Sequence, residues 1–78
     1  MKTIRVGVVG SAGYAGGELL RLLLLHPVVE LVFAHSNSQA GKPLYSVHTD
    51  LFGDTDLHFT DTLSQNIDVL FLCLAHGD

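Results

Sequence analysis

The sequence predicts an α/β fold with a parallel sheet, and three observations predict it. An apolar, valine-rich run lies at 4–9. Gly10-Ser11-Ala12-Gly13-Tyr14-Ala15-Gly16 follows directly, and a leucine-rich stretch over 18–25 comes straight after it. A second apolar run at 30–35 completes a strand–helix–strand unit. Such units take about 30 residues and close with a right-handed crossover.

Each element has a local reason. The first strand, 4–9, is almost continuously apolar, which suits a parallel strand buried on both faces. A helix is expected over 14–26, with Ala15, Leu19, Leu22 and Leu23 at helical spacing on one face. Glu18 is expected in its first turn, where a negative charge favours the dipole, and His26 favours the opposite end. Pro27 stops it, because the residue before a proline is driven out of helical geometry. Leu20, Leu24 and Leu25 widen the apolar surface and predict burial against further protein. Residues 36–56 are turn-rich, with Gly41, Pro43 and Gly53, and admit a short helical stretch over 42–48. A brief third strand is expected at 57–60. Thr62-Leu63-Ser64-Gln65 has the spacing of a capping box, which points to one helical turn. The run 67–74, opened by Asp68, reads as the strongest strand. Residues 75–78 read as a loop, with Asp78 at the cap position of a further helix.

In a doubly wound sheet these strands take the order 3-2-1-4. The expected architecture is an incomplete Rossmann-like parallel sheet, the first part of a doubly wound dinucleotide-binding domain. The order reverses between the first and last strands, and ligands bind outside the carboxyl ends at such a point. That places the site between the glycines at 10–16 and residues 75–77. The last strand would be an open apolar edge, which natural domains avoid, so the sheet is expected to continue in further chain.

Composition narrows the function. The chain has 78 residues, 47% apolar and 15% charged, as in one small globular domain or a piece of one. So short a chain buries a modest core and is marginally stable alone. Net charge is −4, and Lys2, Arg5, Arg21 and Lys42 are dispersed. With no basic patch, neither nucleic acid nor an anionic membrane is an expected partner. Cys73 is the single cysteine, so no internal disulfide forms, and a cytoplasmic setting is expected. The N-terminus lacks a signal-peptide pattern, and the apolar runs are too short to span a bilayer.

The glycines are spaced G-x-x-G-x-x-G rather than G-x-G-x-x-G. Gly10 turns the chain out of the strand, Gly13 lets the backbone approach a pyrophosphate, and Gly16 lets the helix pack closely. Ser11, Ala12, Tyr14 and Ala15 complete the expected contact set. The helix N-terminus supplies positive potential there. A tight turn without ligand has the same spacing; the position between strand and helix favours the cofactor reading. Past the second strand, NAD-binding chains carry an acidic residue for the ribose 2′-hydroxyl. Here the residues are His35-Ser36-Asn37-Ser38. No carboxylate repels a 2′-phosphate, Ser36 and Ser38 offer hydroxyls, and Lys42 adds charge, so NADP(H) is favoured. Ser-Asn-Ser also reads as turn chemistry, and both readings stand at this point.

Ala75 and His76, at the switch point, are expected to line the cofactor pocket; a surface loop suits His76 equally. Cys73, between Leu72 and Leu74, reads as inert packing, since reactive thiols need electropositive, accessible sites. His26, His35, His48, His58 and His76 lack metal-ligand spacing. Asp50, Asp54, Asp56 and Asp61 are expected in solvent. No catalytic residue is assigned.

Gly-Ser-Ala-Gly-Tyr-Ala-Gly-Gly-Glu-Leu at 10–19, Leu-His-Pro at 25–27, Ala-Gly-Lys at 40–42 and Asp-Val-Leu-Phe-Leu-Cys-Leu-Ala-His-Gly at 68–77 resemble N-acetyl-gamma-glutamyl-phosphate reductases. The likeness runs over essentially the whole chain. Two departures stand out: Ala75 replaces a proline common in the family, and Thr49 follows His48 where His-Pro is common. The resemblance implies an oxidoreductase of arginine biosynthesis that reduces an N-acetylglutamyl 5-phosphate to the semialdehyde with NADPH and releases phosphate. A cysteine thiolate displaces phosphate and the thioester accepts hydride, with a histidine as acid and base. The resemblance places these groups in a second domain beyond this chain, so the 78 residues alone are expected to be inactive. The implied partners are a small-molecule substrate held by that domain and, in the full-length protein, further copies in a homo-oligomer. Aspartate-semialdehyde dehydrogenase and a non-catalytic dinucleotide-binding module are the alternatives, since fold alone does not decide function.

Overall fold

The computed structural model describes residues 3–64 and 66–73. Its elements are β1 (Ile4–Val9), α1 (Tyr14–Leu25), β2 (Val29–His35), two 3₁₀ turns (Leu44–Ser46 and Thr49–Leu51), β3 (Phe59–Thr60) and β4 (Val69–Leu72). The four strands form one sheet in the order β3-β2-β1-β4, and every named pair is parallel. Fold class and strand order agree with the sequence expectation.

Strand alternation explains the layering. Val6, Val8, Ala34 and Phe59 point to one face and build a core with Leu20 and Leu23 of α1. Leu44 and Leu51, both fully buried, pin the two 3₁₀ turns to the same core. On the opposite face Phe33 pairs in register with Gly7. A register shift between Val6 and Gly7 sets that pairing, and a side chain at position 7 would overlap the Phe33 ring.

Several boundaries and faces differ from expectation. The buried stripe of α1 is Gly16, Leu20 and Leu23, not Ala15, Leu19, Leu22 and Leu23. Ala15, Leu22 and Leu25 are exposed, and Leu19 and Leu24 are half-buried. With leucines at six of the seven positions 19–25, periodicity could not choose the face; close packing at Gly16 chose it. Glu18 lies beyond the first helical turn and pairs instead with Arg21, one turn along. His26 caps the C-terminus in extended geometry, and its Nδ1 accepts the Val28 N–H at 3.3 Å. His26 thus stands at the helix C-terminus as expected, and that bond ties its ring to the turn into β2.

The stretch 42–48 forms no continuous helix. Pro43 precedes the first 3₁₀ turn, and the Ser46 hydroxyl donates to its carbonyl at 2.7 Å, which favours a tight turn over propagation. The third strand shrinks to Phe59–Thr60. Leu57 accepts from the Leu44 N–H and His58 bridges Pro43 antiparallel, so these residues pair away from β2. Residues 62–64 form no helical turn; the Thr62 N–H donates to Thr60 Oγ1 at 3.2 Å. β4 is shorter than 67–74, although its pairing with β1 extends past both ends. The Asp68 N–H donates to the Arg5 carbonyl at 2.7 Å, and the Cys73 N–H to the Val9 carbonyl at 2.8 Å. Gln65, Leu74, Ala75, His76 and Asp78, each given a place by the sequence, lie outside the described residues.

Candidate functional site: the β1–α1 glycine loop

The loop begins at Gly10, where φ is +74°. That left-handed geometry suits glycine, and a side chain would overlap the Cys73 carbonyl at the end of β4. Gly10 therefore makes the turn out of β1 and the close approach of β4 possible together.

Ser11 is fully buried. Its N–H and its hydroxyl both donate to the His35 carbonyl, at 3.0 and 2.8 Å. The end of β2 thus locks the loop, and the side chain of Ser11 points inward rather than to a ligand. Gly13 is the N-cap of α1, with φ −76° and ψ 174° and no side-chain cap. The first helical bond runs from the Gly17 N–H to the Gly13 carbonyl at 2.9 Å. The N–H groups of Tyr14, Ala15 and Gly16 precede that ladder, and free N–H groups at a helix start form an anion site. Tyr14 and Ala15 are exposed there, while Ala12 packs against the core. At Gly16 a Cβ would stand 2.7 Å from the Gly10 carbonyl oxygen and from Ser11 Cα. The third glycine therefore lets the helix fold back on its own loop.

Ser36 follows β2 and neighbours the loop through the Ser11–His35 bonds. It is buried; its N–H donates to the Thr60 carbonyl, and its hydroxyl accepts the Gln39 N–H at 3.2 Å. The Ser38 hydroxyl lies 3.4 Å from that of Ser36. The turn-chemistry reading thus describes what these residues do within the chain, and the Ser38 side chain remains exposed. Lys42 is exposed beyond β3: the Phe59 N–H donates to its carbonyl at 2.8 Å. The structure therefore ranges Ser36 and Lys42 on opposite sides of β3. Two strand spacings are roughly 10 Å, within which a lysine side chain can lean. Ala75 and His76 are outside the described residues.

One contributor escaped sequence reasoning. His48 reaches the loop from the segment between β2 and β3, and its Nε2 lies 2.7 Å from the Ser11 carbonyl oxygen. The available signal was Gly17, a second glycine inside a helix, which marks a close neighbour. His48 also lines a shallow groove with Tyr14, Gly17, Glu18 and Asp50. Cys73 is half-buried against the core. Asp50, Asp54, Asp56 and Asp61 are exposed, as expected. Among the described residues, no three of His, Cys, Asp and Glu gather as a metal site, and no helix is long and apolar enough to cross a membrane.

The arrangement fits a dinucleotide: a tight glycine loop at the carboxyl end of β1, and a helix start whose first N–H groups have no backbone partner among the described residues. Comparison with known proteins agrees. Residues 5–78 match the family model described as semialdehyde dehydrogenase, NAD binding domain. The chain is 55% identical over 75 residues to an N-acetyl-gamma-glutamyl-phosphate reductase of Christiangramia forsetii, covering 96% of this chain and 23% of that protein. It is 57% identical over 76 residues to the protein of that name from Bacteroides thetaiotaomicron, covering 96% and 24%. For the one from Flavobacterium johnsoniae the identity is 49% over 74 residues, covering 95% and 23%. The chain thus spans about a quarter of the length of these curated relatives. A match over nearly the whole chain, on a parallel sheet whose glycine loop caps a helix, shows that the chain belongs to the NAD-binding domain family of the semialdehyde dehydrogenases, whose cofactor is a nicotinamide dinucleotide.

Proposed function

We propose that these residues are the NADPH-binding part of an N-acetyl-gamma-glutamyl-phosphate reductase. The reaction converts N-acetylglutamyl 5-phosphate to the semialdehyde and releases phosphate, a step of arginine biosynthesis in the cytoplasm. The observation that carries the reading is identity of 49–57% to reductases of that name across nearly all of this chain. The bound dinucleotide supplies hydride. This chain's residues bind and orient it: the N–H groups of Tyr14, Ala15 and Gly16 receive the pyrophosphate at the positive end of α1. Ser36 and Ser38 follow the end of β2, the position that contacts the adenosine ribose in such folds, and in this reading Lys42 leans across β3 toward them. No carboxylate is present among 35–38 to repel a 2′-phosphate, which supports NADP over NAD. The nucleophile and the acyl phosphate belong to chain beyond these residues in this reading, since Cys73 packs against the core. Exposed Leu22 and Leu25 on α1 support burial of that helix against further protein in the complete enzyme.

Two substitutions in the complete protein test the reading. Gly13 has φ −76°, which any residue adopts, so Gly13→Val leaves the backbone unstrained, and in this reading its side chain takes the space the pyrophosphate needs. We expect NADPH affinity to fall about 100-fold or more, roughly 3 kcal/mol, with the thermal midpoint little changed. Equal affinities would remove the loop from the binding site. Ser36→Asp retains an oxygen that can accept the Gln39 N–H while adding a charge against the 2′-phosphate. The ratio of NADP to NAD affinity is expected to invert, and an unchanged ratio would place 2′-phosphate recognition elsewhere.

A further inference from the structure

The imidazole of His48 is held from three sides. Its Nε2 lies 2.7 Å from the Ser11 carbonyl oxygen. A carbonyl only accepts, so Nε2 carries the proton and donates. The other side of the ring rests on α1, where a Cβ at Gly17 would stand 2.5 Å from His48 Nδ1 and 2.6 Å from Cε1. An edge-on contact with Phe59, centroids 6.0 Å apart, ties the ring to the core.

The bond falls on one particular peptide. The N–H and hydroxyl of Ser11 are already held by the His35 carbonyl. The peptide between Ser11 and Ala12 has a different anchor, His48. In a planar trans peptide the C=O and the next N–H point in opposite directions. Turning the Ser11 carbonyl toward His48 therefore aims the Ala12 N–H the other way, and a flipped peptide would turn a carbonyl dipole toward an anion instead.

We infer that His48 is a positioning residue for the glycine loop. Its Nε2–H fixes the Ser11–Ala12 peptide in the orientation that receives a dinucleotide pyrophosphate, and Gly17 is the seat that lets the ring reach it. The inference rests on the dinucleotide-binding reading above.

The test is titration of NADPH into the complete protein and five variants. Glutamine can place an amide N–H near the position of Nε2, whereas asparagine places its own near Nδ1. His48→Leu and His48→Asn are expected to weaken binding by about tenfold or more, the scale of one lost hydrogen bond that also frees a peptide to flip. His48→Gln is expected to restore most of the loss. Gly17→Ala should mimic His48→Leu with the histidine still present, because the new methyl group displaces the ring. The double variant Gly17→Ala/His48→Leu should bind no worse than His48→Leu alone. A merely structural role would weaken glutamine and asparagine variants alike. If wild-type protein binds NADPH and His48→Gln is as weak as His48→Asn, or His48→Leu binds as wild type does, the inference falls alone. If wild-type protein binds neither NADPH nor NADH, the dinucleotide reading falls with it.

Discussion

Gly10→Ala is expected to lower the stability of this domain severely, and Gly53→Ala by clearly less. Both glycines have positive φ, +74° and +86°. An L-residue in that region costs about 1–2 kcal/mol in either place. The surroundings separate the two. At Gly53 nothing lies within 4 Å of a new Cβ, whereas at Gly10 it would overlap the Cys73 carbonyl, whose carbon would be 3.0 Å away. The overlapping group is backbone, held by the bond from the Cys73 N–H to the Val9 carbonyl, so it cannot rotate aside as a side chain would. Overpacking of this kind adds roughly 1–3 kcal/mol. The total approaches the lower end of the stability of a whole domain, about 5 kcal/mol. Relief requires β4 to move from β1, which would also open the carboxyl-end crevice beside the loop. Thermal unfolding of the complete protein with each substitution checks this. Equal drops in the two midpoints would mean that β4 does not press on the loop.

The 78 residues, expressed alone, are expected to self-associate. Val69, Leu70, Phe71 and Leu72 are 39, 45, 36 and 63% exposed, and β4 pairs with β1 on one side only among the described residues. A strand of this kind offers unpaired N–H and C=O groups together with a continuous apolar surface. Leu22 and Leu25, 62 and 75% exposed, add a second apolar patch on α1. A domain of this size has little stability with which to offset such exposure. Sedimentation should show species larger than a monomer. Leu70→Lys with Leu72→Lys should shift the distribution toward monomer, since lysine on an edge strand discourages edge pairing. A wild-type 78-residue monomer with a cooperative thermal transition would contradict the expectation.

The glycine loop shows how far local chemistry carries. A valine-rich run, closely spaced glycines and a leucine-rich run determined strand, loop and helix, because each depends on residues within a few positions. The strand order followed from the doubly wound pattern that such a strand–helix–strand unit begins. The roles of Gly10 and Gly16 were legible as types, a turn and a close approach. What they approach was not: the Cys73 carbonyl lies across the sheet from Gly10, and Gly16 meets Gly10 and Ser11 of its own loop.

Other features depended on packing alone. The chain determined that α1 is apolar, but a nearly unbroken run of leucines carries no directional information, so contact with the sheet selected Leu20 and Leu23 over Leu22. Segment 36–60 has weak local preferences; burial of Leu44, Leu51 and Phe59 set its course, and the pairing of 57–59 with 41–44 shortened β3. Ser11 looked like a ligand contact and became an internal lock, because its hydroxyl faces the carbonyl that ends β2. His48 carried no sequence signal of its own. By itself the sequence determined the strand–helix–strand unit and its glycine loop, since these arise from short-range patterns of burial and backbone freedom, and the strand order followed from the topology that unit begins. Only the tertiary structure decided which groups surround that loop, since that follows from how residues far apart along the chain are packed against one another.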